Sequence, residues 1–257
     1  MKFHPTAVIS PKAEIDEGVK VGPYSIIGDN VKIGRGTVIE ANVHIVGYTE
    51  IGEDCHIYPF CSIGTPAQDL KYKGEKTYVR IGARNVFREF TTVNAGTACG
   101  RGETVIGSDN YFMAYSHIAH DCVVGNGIIF GNAGTLAGHV LVEDYAVVGA
   151  FSGVHQFCRV GKYSFIGGYS VITKDVLPFS KTVGNRAKAY GINYIGLKRR
   201  NFPPQVIEKL RKAFRLLLNS NLNTSQAIAE IERTITGCEE VSYLVKFIKT
   251  SKRGVIK

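Results

Sequence analysis

The chain has 257 residues, 44% hydrophobic and 21% charged, with a formal net charge of +9. Those proportions are ordinary for a folded soluble protein with one large domain, or a medium domain plus an appendage. The N-terminus MKFHPTAVIS lacks the apolar stretch of a signal peptide, and no segment approaches the roughly 20 apolar residues of a membrane span, so the expectation is a cytoplasmic protein without integral membrane contact. The charge is uneven. Lys181 to Lys257 holds 16 Lys/Arg against five Asp/Glu, a surplus of 11, whereas residues 1–180 hold 15 against 17. A basic tail of this kind suits an acidic partner, although a solvated basic face gives the same count. Its basic residues follow an amphipathic helical pattern with no recognised nucleic-acid motif, so no nucleic-acid partner is expected.

From the N-terminus onward, a six-residue period dominates. Ile9, Ile15, Val21, Ile27, Ile33, Ile39, Ile45, Ile51, Ile57 and Ile63 fall on it without a miss. The register returns at Ile81, Phe87, Val93 and Cys99, shifts by one residue, and continues from Ile106 through Ile118, Leu136 and Val154 to Ile172. Helices need a period near 3.6 and simple strands a period of 2. A period of six places one inward side chain on each short strand, followed by a turn. Glycine often follows the inward residue, as at Gly22, Gly34 and Gly52, where freedom from a Cβ would allow corner dihedrals. Three hexads make an 18-residue triangular coil, and some nine coils at about 4.8 Å make a prism about 40 Å long. Cys55, Cys61, Cys122 and Cys158 lie four residues after an inward aliphatic, where small residues recur, and Cys99 takes an inward slot itself. All read as core thiols rather than zinc or redox ligands.

The segment Gly64–Arg80 places Asp69 and Glu75 where inward aliphatics belong, which predicts a loop extruded from the prism at about 64–80. Further on, His117, His120, His139 and His155 cluster in successive coils, none in an inward slot. Residues 18 apart stack, so His120, Gly138 and Gln156 form one outward column and Asp121, His139 and Phe157 the next. Ala119, Ala137 and Gly138 keep the surface beside them low. Three readings are open: ordinary surface histidines, a zinc site built by outward histidines across a subunit interface as in β-helical carbonic anhydrases, or a general base. Asp121 favours the last, because a carboxylate beside an imidazole fixes its tautomer and supports it as a base near neutral pH.

The repeat ends after Ile172, near Pro178. From about Gly191 the pattern is helical: Pro203-Pro204 opens one helix, Thr224 or Ser225 caps a second, and Gly254 follows a third. The expected division is a β-helix over 1–186 and a helical domain over 187–257.

The motifs IGTPAQDLKY, HIAHDC, TLAGHV, VHQFCRVG and GINYIGLKRR followed by three helices resemble, end to end, the UDP-N-acetylglucosamine O-acyltransferase family, which starts lipid A synthesis in Gram-negative bacteria. The resemblance implies an all-β left-handed parallel β-helix followed by a small α-helical domain. It implies transfer of a 3-hydroxyacyl chain from acyl carrier protein to the glucosamine 3-hydroxyl, with no covalent enzyme intermediate, no metal and no cofactor beyond the carrier-protein thioester. Carried over by position, His120 is the general base, Asp121 supports it, and the Gly138 N–H stabilises the oxyanion. Asp69 and Lys71 contact the sugar nucleotide, while His117, His139 and Gln156 line the cleft. Asn193 and Arg199 hold the nucleotide end, and His155 lies along the substrate groove. Gly168 leaves room for a long acyl chain, which Phe165 reduces. The family also implies a homotrimer with sites between adjacent prisms, and an acidic carrier protein drawn by the basic tail. The sequence departs from the family pattern at Ile195, where a member carries glutamate, and at Asn94-Ala95, in place of a His-Arg pair. The first departure leaves a 3-amino sugar nucleotide open as the acceptor.

Overall fold

Most strands are only two residues long, and in nearly every one the second residue points inward and is buried. A computed structural model describes residues 2–257. Strands one coil apart pair in parallel, Ile118 opposite Leu136 and Leu136 opposite Val154, which is the 18-residue register the period predicts. The pairing builds three sheets of 11, nine and eight strands, the faces of a prism. The inward residues stack into a continuous core; Phe87, Phe112 and Phe130 lie with ring centroids 4.8 and 5.1 Å apart. Each such side chain, fully removed from water, contributes about 1.5–3 kcal/mol.

The corners have their own chemistry. The residue three places after the inward one adopts φ near +60° and is usually not glycine; Asp121 (+59°), His139 (+62°) and Phe157 (+63°) are examples. The glycines that follow inward residues answer a different need from the one expected. A Cβ at Gly22 would stand 2.6 Å from the carbonyl carbon of Glu40 on the next coil, so close approach and not φ demands glycine there. At the buried small-residue slots, hydroxyls tie coil to coil: the Ser25 hydroxyl donates to the Glu40 carbonyl at 2.7 Å, and that of Ser152 to the Gly167 carbonyl at 2.9 Å. Cys55, Cys61, Cys122 and Cys158 fill the same slots, and burial pushes the Cys61 and Cys122 thiols up to about 12.

Two excursions interrupt the coils. Ile51 pairs with Ile81, 30 residues on instead of 18, so twelve residues are extruded where the loop was expected. Ile81 pairs with Ile106, 25 residues on, so seven more are extruded just after Ala95. The sequence shows only a one-residue shift at this second place, because seven is one full hexad plus one. Cys99 therefore occupies no inward slot; it is exposed on the second loop, which corrects that expectation.

Strand Ser180–Val183 extends the 11-stranded sheet in parallel, and Lys188–Ile192 folds back antiparallel upon it, so the sheet runs past residue 186. Four helices follow: α1 (Tyr194–Arg199), α2 (Pro204–Leu218), α3 (Thr224–Thr234) and α4 (Glu239–Lys249). Pro204 opens α2. The cap of α3 is Asn223, in a reciprocal capping box with Gln226, and not Thr224 or Ser225. Leu210, Phe214, Ile231 and Leu244 form the core of this unit. It docks on the prism through the Tyr243 hydroxyl, which donates to Glu143 at 2.6 Å, and the Arg159 guanidinium, 3.9 Å from the Phe247 ring centre. No helix among the described residues is long and apolar enough to cross a membrane.

Candidate active site

His117 lies on the strand His117–Ile118 of the nine-stranded sheet, and Val123–Val124 belongs to the eight-stranded sheet. His120 and Asp121 form the corner between them. Ile118 is fully buried, which anchors the corner and turns His117 and His120 outward.

The His120 Nδ1 lies 2.9 Å from Asp121 Oδ2. A carboxylate has no proton to give, so Nδ1 donates, and in the neutral ring Nε2 carries the lone pair. Asp121 is 1% exposed. Its carboxylate accepts from the Thr97 hydroxyl at 2.6 Å, from the Thr97 N–H at 3.1 and 3.2 Å, and from the Arg101 N–H at 2.7 Å. Burial pushes the carboxyl pKa up, but the Thr97 hydroxyl, His120 and the backbone N–H groups of Thr97 and Arg101 outweigh it and hold the group below its ordinary value. It is therefore ionised at neutral pH.

Gly138 sits on the next coil, against the His120 ring, and a Cβ there would collide with Cε1 and Nε2. Among the described residues no oxygen accepts from the Gly138 N–H, although the residue is buried. An unpaired buried donor beside the imidazole is open to an anionic oxygen. His139 meets His120 edge-on with ring centres 5.1 Å apart and stacks on Phe157 at 4.5 Å. Burial lowers the His139 pKa, with Asp121 and Asp69 opposing and His120 reinforcing that shift; burial also lowers His117, reinforced by His120. The Thr92 hydroxyl lies 2.7 Å from His117 Nδ1 and fixes that ring. His155 and Gln156 continue the corner on the following coil, both exposed.

His120, Asp121 and His139 are close enough to consider as a metal set. The carboxylate, however, already accepts from four donors, and a cation would have to displace the Thr97 hydroxyl and the His120 N–H. The donor set is arranged for a hydrogen-bonded dyad.

In the first loop, the Lys71 N–H donates to Asp69 Oδ1 at 2.9 Å, and the Asp69 carboxylate is near enough to oppose the lowering of the His139 pKa. Asn193 and Arg199 lie elsewhere. With Tyr145, Tyr163 and Arg200 they line a cavity of about 290 Å³ against the outer face of the 11-stranded sheet. Asn193 also caps α1, accepting from the Gly196 N–H at 3.2 Å, and donates to the Tyr163 carbonyl at 3.1 Å. One chain does not bring these residues to the dyad. Gly168 is exposed at a corner between the 11- and nine-stranded sheets, and Phe165 is half-buried on the strand before it. Ile195 is 63% exposed, while Asn94 is buried and donates to the Thr65 hydroxyl at 3.0 Å. Sequence reasoning missed Thr97, Arg101 and Thr92. The one-residue shift and the run Gly96, Gly100, Gly102 were the only traces of the first two.

Residues 175–256 match the family described as UDP N-acetylglucosamine O-acyltransferase, domain 2, and residues 12–47 and 30–65 match the bacterial transferase hexapeptide repeat. The chain is 54% identical to the acyl-[acyl-carrier-protein]–UDP-N-acetylglucosamine O-acyltransferase of Aliivibrio fischeri and 52% identical to that of Alkalilimnicola ehrlichii, covering all of this chain and 98% and 99% of those proteins. The solved structure of LpxA from Acinetobacter baumannii superposes with a TM-score of 0.96 at 43% identity, over 99% of each chain.

Proposed function

The chain belongs to the UDP-N-acetylglucosamine O-acyltransferase family, a left-handed parallel β-helix enzyme, and on that premise we propose that His120 is the general base with which it performs the first step of lipid A biosynthesis. Its reaction moves an acyl chain from acyl carrier protein to UDP-N-acetylglucosamine. His120 Nε2 takes the proton of the glucosamine 3-hydroxyl as that oxygen attacks the thioester carbonyl. The Gly138 N–H stabilises the tetrahedral oxyanion, which collapses to the ester and expels the carrier's thiolate; the imidazolium returns the proton to it. Both substrates are held together, so proximity supplies much of the rate and no enzyme-bound acyl intermediate forms. The donor arrives already activated as a thioester, and no cofactor takes part.

The carrying observation is the His120–Asp121 bond at 2.9 Å, made to a buried and ionised carboxylate. Asp69 and Lys71 contact the sugar, with His117, His139 and Gln156 lining the cleft; His155 and Gly168 follow the acyl chain, and Gly168 leaves room for a long one. Asn193 and Arg199 hold the nucleotide, Arg199 as a phosphate partner. Because these two lie on another face within one chain, the working enzyme is a homotrimer in which a neighbouring copy supplies them. The 16 Lys/Arg of the tail steer the acidic carrier protein, in the cytoplasm.

Purified protein supplied with UDP-N-acetylglucosamine, or its 3-amino analogue, and 3-hydroxyacyl carrier proteins of several lengths tests the reading by mass spectrometry of the product. The expected result is an ester on the 3-hydroxyl, with His120→Ala slower by at least about 100-fold. Retained turnover in that variant would move the base, most directly to His139.

A further inference from the structure

The second extruded loop makes four of the five hydrogen bonds to the Asp121 carboxylate. The Thr97 N–H straddles both oxygens, the Arg101 N–H caps Oδ1, and the Thr97 hydroxyl donates into Oδ2, the oxygen that faces His120. Gly100 lies against the same carboxylate, and a Cβ there would collide with all three of its heavy atoms. From the opposite side the Thr104 hydroxyl accepts the Asp121 N–H at 2.9 Å. The loop is thus wrapped around a single anion, and its outward surface, Ala98 to Arg101, faces solvent.

We propose that Gly96–Arg101 is a carboxylate-binding loop for the dyad, and that Thr97 is a positioning residue that sets the protonation and tautomer of His120 through Asp121. This rests on the reading of His120 as the base. The chemistry follows from what Oδ2 must do. Without the hydroxyl, the full charge of that oxygen falls on the imidazole, stabilising its protonated form, and the carboxylate is free to rotate away from Nδ1. With the hydroxyl, Oδ2 is shared, the plane of the carboxylate is fixed, and the neutral Nδ1–H tautomer with its free Nε2 is the resting state. The other titratable groups facing the carboxylate are His139, whose Nε2 is 3.9 Å from Oδ2, and, across an adjoining cavity of about 410 Å³, Arg101, Arg159, Asp175, Lys252 and Arg253. Without the hydroxyl the carboxylate still accepts from the Thr97 and Arg101 N–H groups and from His120, so the loss shows on His120. The acid limb of the kcat profile reports the protonation of the dyad during turnover.

The test uses the full-length enzyme with three substitutions, Thr97→Val, Thr97→Ala and Thr97→Ser, measured beside His120→Ala. Thr97→Val and Thr97→Ala are expected to lower kcat about tenfold, the usual worth of one hydrogen bond to a charged group. KM for both substrates should stay within about twofold, and the acid limb should move to higher pH by about half a unit. Thr97→Ser should restore both rate and limb. Nitrogen-15 spectra of the imidazoles should show the Nδ1–H tautomer of His120 in the native and Ser proteins and a mixture in the other two. Native kcat and an unmoved limb in Thr97→Val overturn the proposal. So does a rate loss that serine does not rescue, and so does failure of both the Val and Ala variants to fold, which would make Thr97 a residue of the fold. Turnover surviving in His120→Ala overturns the reading of the base instead, whatever Thr97 does.

Discussion

The prism is interrupted twice, and the two interruptions act in opposite directions. The twelve-residue loop presents side chains: Lys71 and Leu70 are exposed, and its hydrogen bonds are largely its own, with the Lys71 N–H donating to Asp69 and the Lys73 N–H to Glu75. The seven-residue loop presents backbone: two N–H groups and one hydroxyl turn inward upon Asp121, while the rest faces solvent. A regular scaffold can therefore gain function by two routes. One adds new groups for a ligand to touch. The other adds none and instead sets the electrostatics of a residue the scaffold already holds.

That contrast is broken most severely at the shared carboxylate. Asp121→Asn puts an amide where the Thr97, Arg101 and His120 donors converge, so one of its NH₂ hydrogens must face the Thr97 or Arg101 N–H or the imidazole Nδ1. The expected loss is about 100-fold in kcat with little change in either KM, measured at saturating carrier protein. Glycines of the two loops separate the roles next. Gly100→Ala pushes a Cβ into the Asp121 carboxylate and should cost about tenfold in kcat. Gly74→Ala meets nothing within 4 Å; its φ of +92° makes it a strain of about 1 kcal/mol, read in Tm and not in turnover. A smaller effect belongs to Lys71→Ala, which should raise KM for the sugar nucleotide about fivefold, leaving kcat within twofold and Tm unchanged, the usual scale for removing one exposed charged donor from a ligand. If Lys71→Ala lowered kcat instead, the first loop would share the work assigned to the second.

The sequence made the two loops unequally visible. Asp69 and Glu75 in inward slots announce the first, because a carboxyl facing an aliphatic core has no stable alternative to extrusion. The second hides in arithmetic: an insertion of seven looks like a shift of one once a hexad is subtracted, and Val93 followed by Cys99 completes the deception with a residue small and apolar enough for a core slot. The same periodicity that conceals the loop exposes the site. His120 over Gly138, and Asp121 beside His139, follow from an 18-residue count, and the His120 and His139 ring centres 5.1 Å apart agree. What no count can deliver is the partner of a buried carboxylate, since Thr97 lies 24 residues from Asp121 and reaches it only through irregular backbone. Nor does one chain join Asn193 and Arg199 to the dyad; they line a separate cavity with Tyr145 and Tyr163.

The two loops also differ in what acid does to them, and this is the finest test of the contrast. Asp121 is buried with its pKa held below the unfolded value near 3.9, so its contribution to stability is complete above that value and is lost as pH falls through the folded pKa. His117 and His139, lowered by burial, act earlier: they fold as neutral groups, so stability begins to fall as pH drops below about 6.5 and keeps falling until their folded pKa values are passed. Glu75 in the first loop is also lowered, by the Lys73 N–H and its own backbone, but it stands in solvent, where water competes for those bonds. In thermal melts from about pH 7 to about pH 3, Asp121→Asn should therefore flatten the steep part of the Tm profile below about pH 4, equally in low and high salt. Glu75→Gln should leave the profile nearly unmoved. Equal shifts for both variants would mean that the second loop holds Asp121 no more closely than the first holds Glu75.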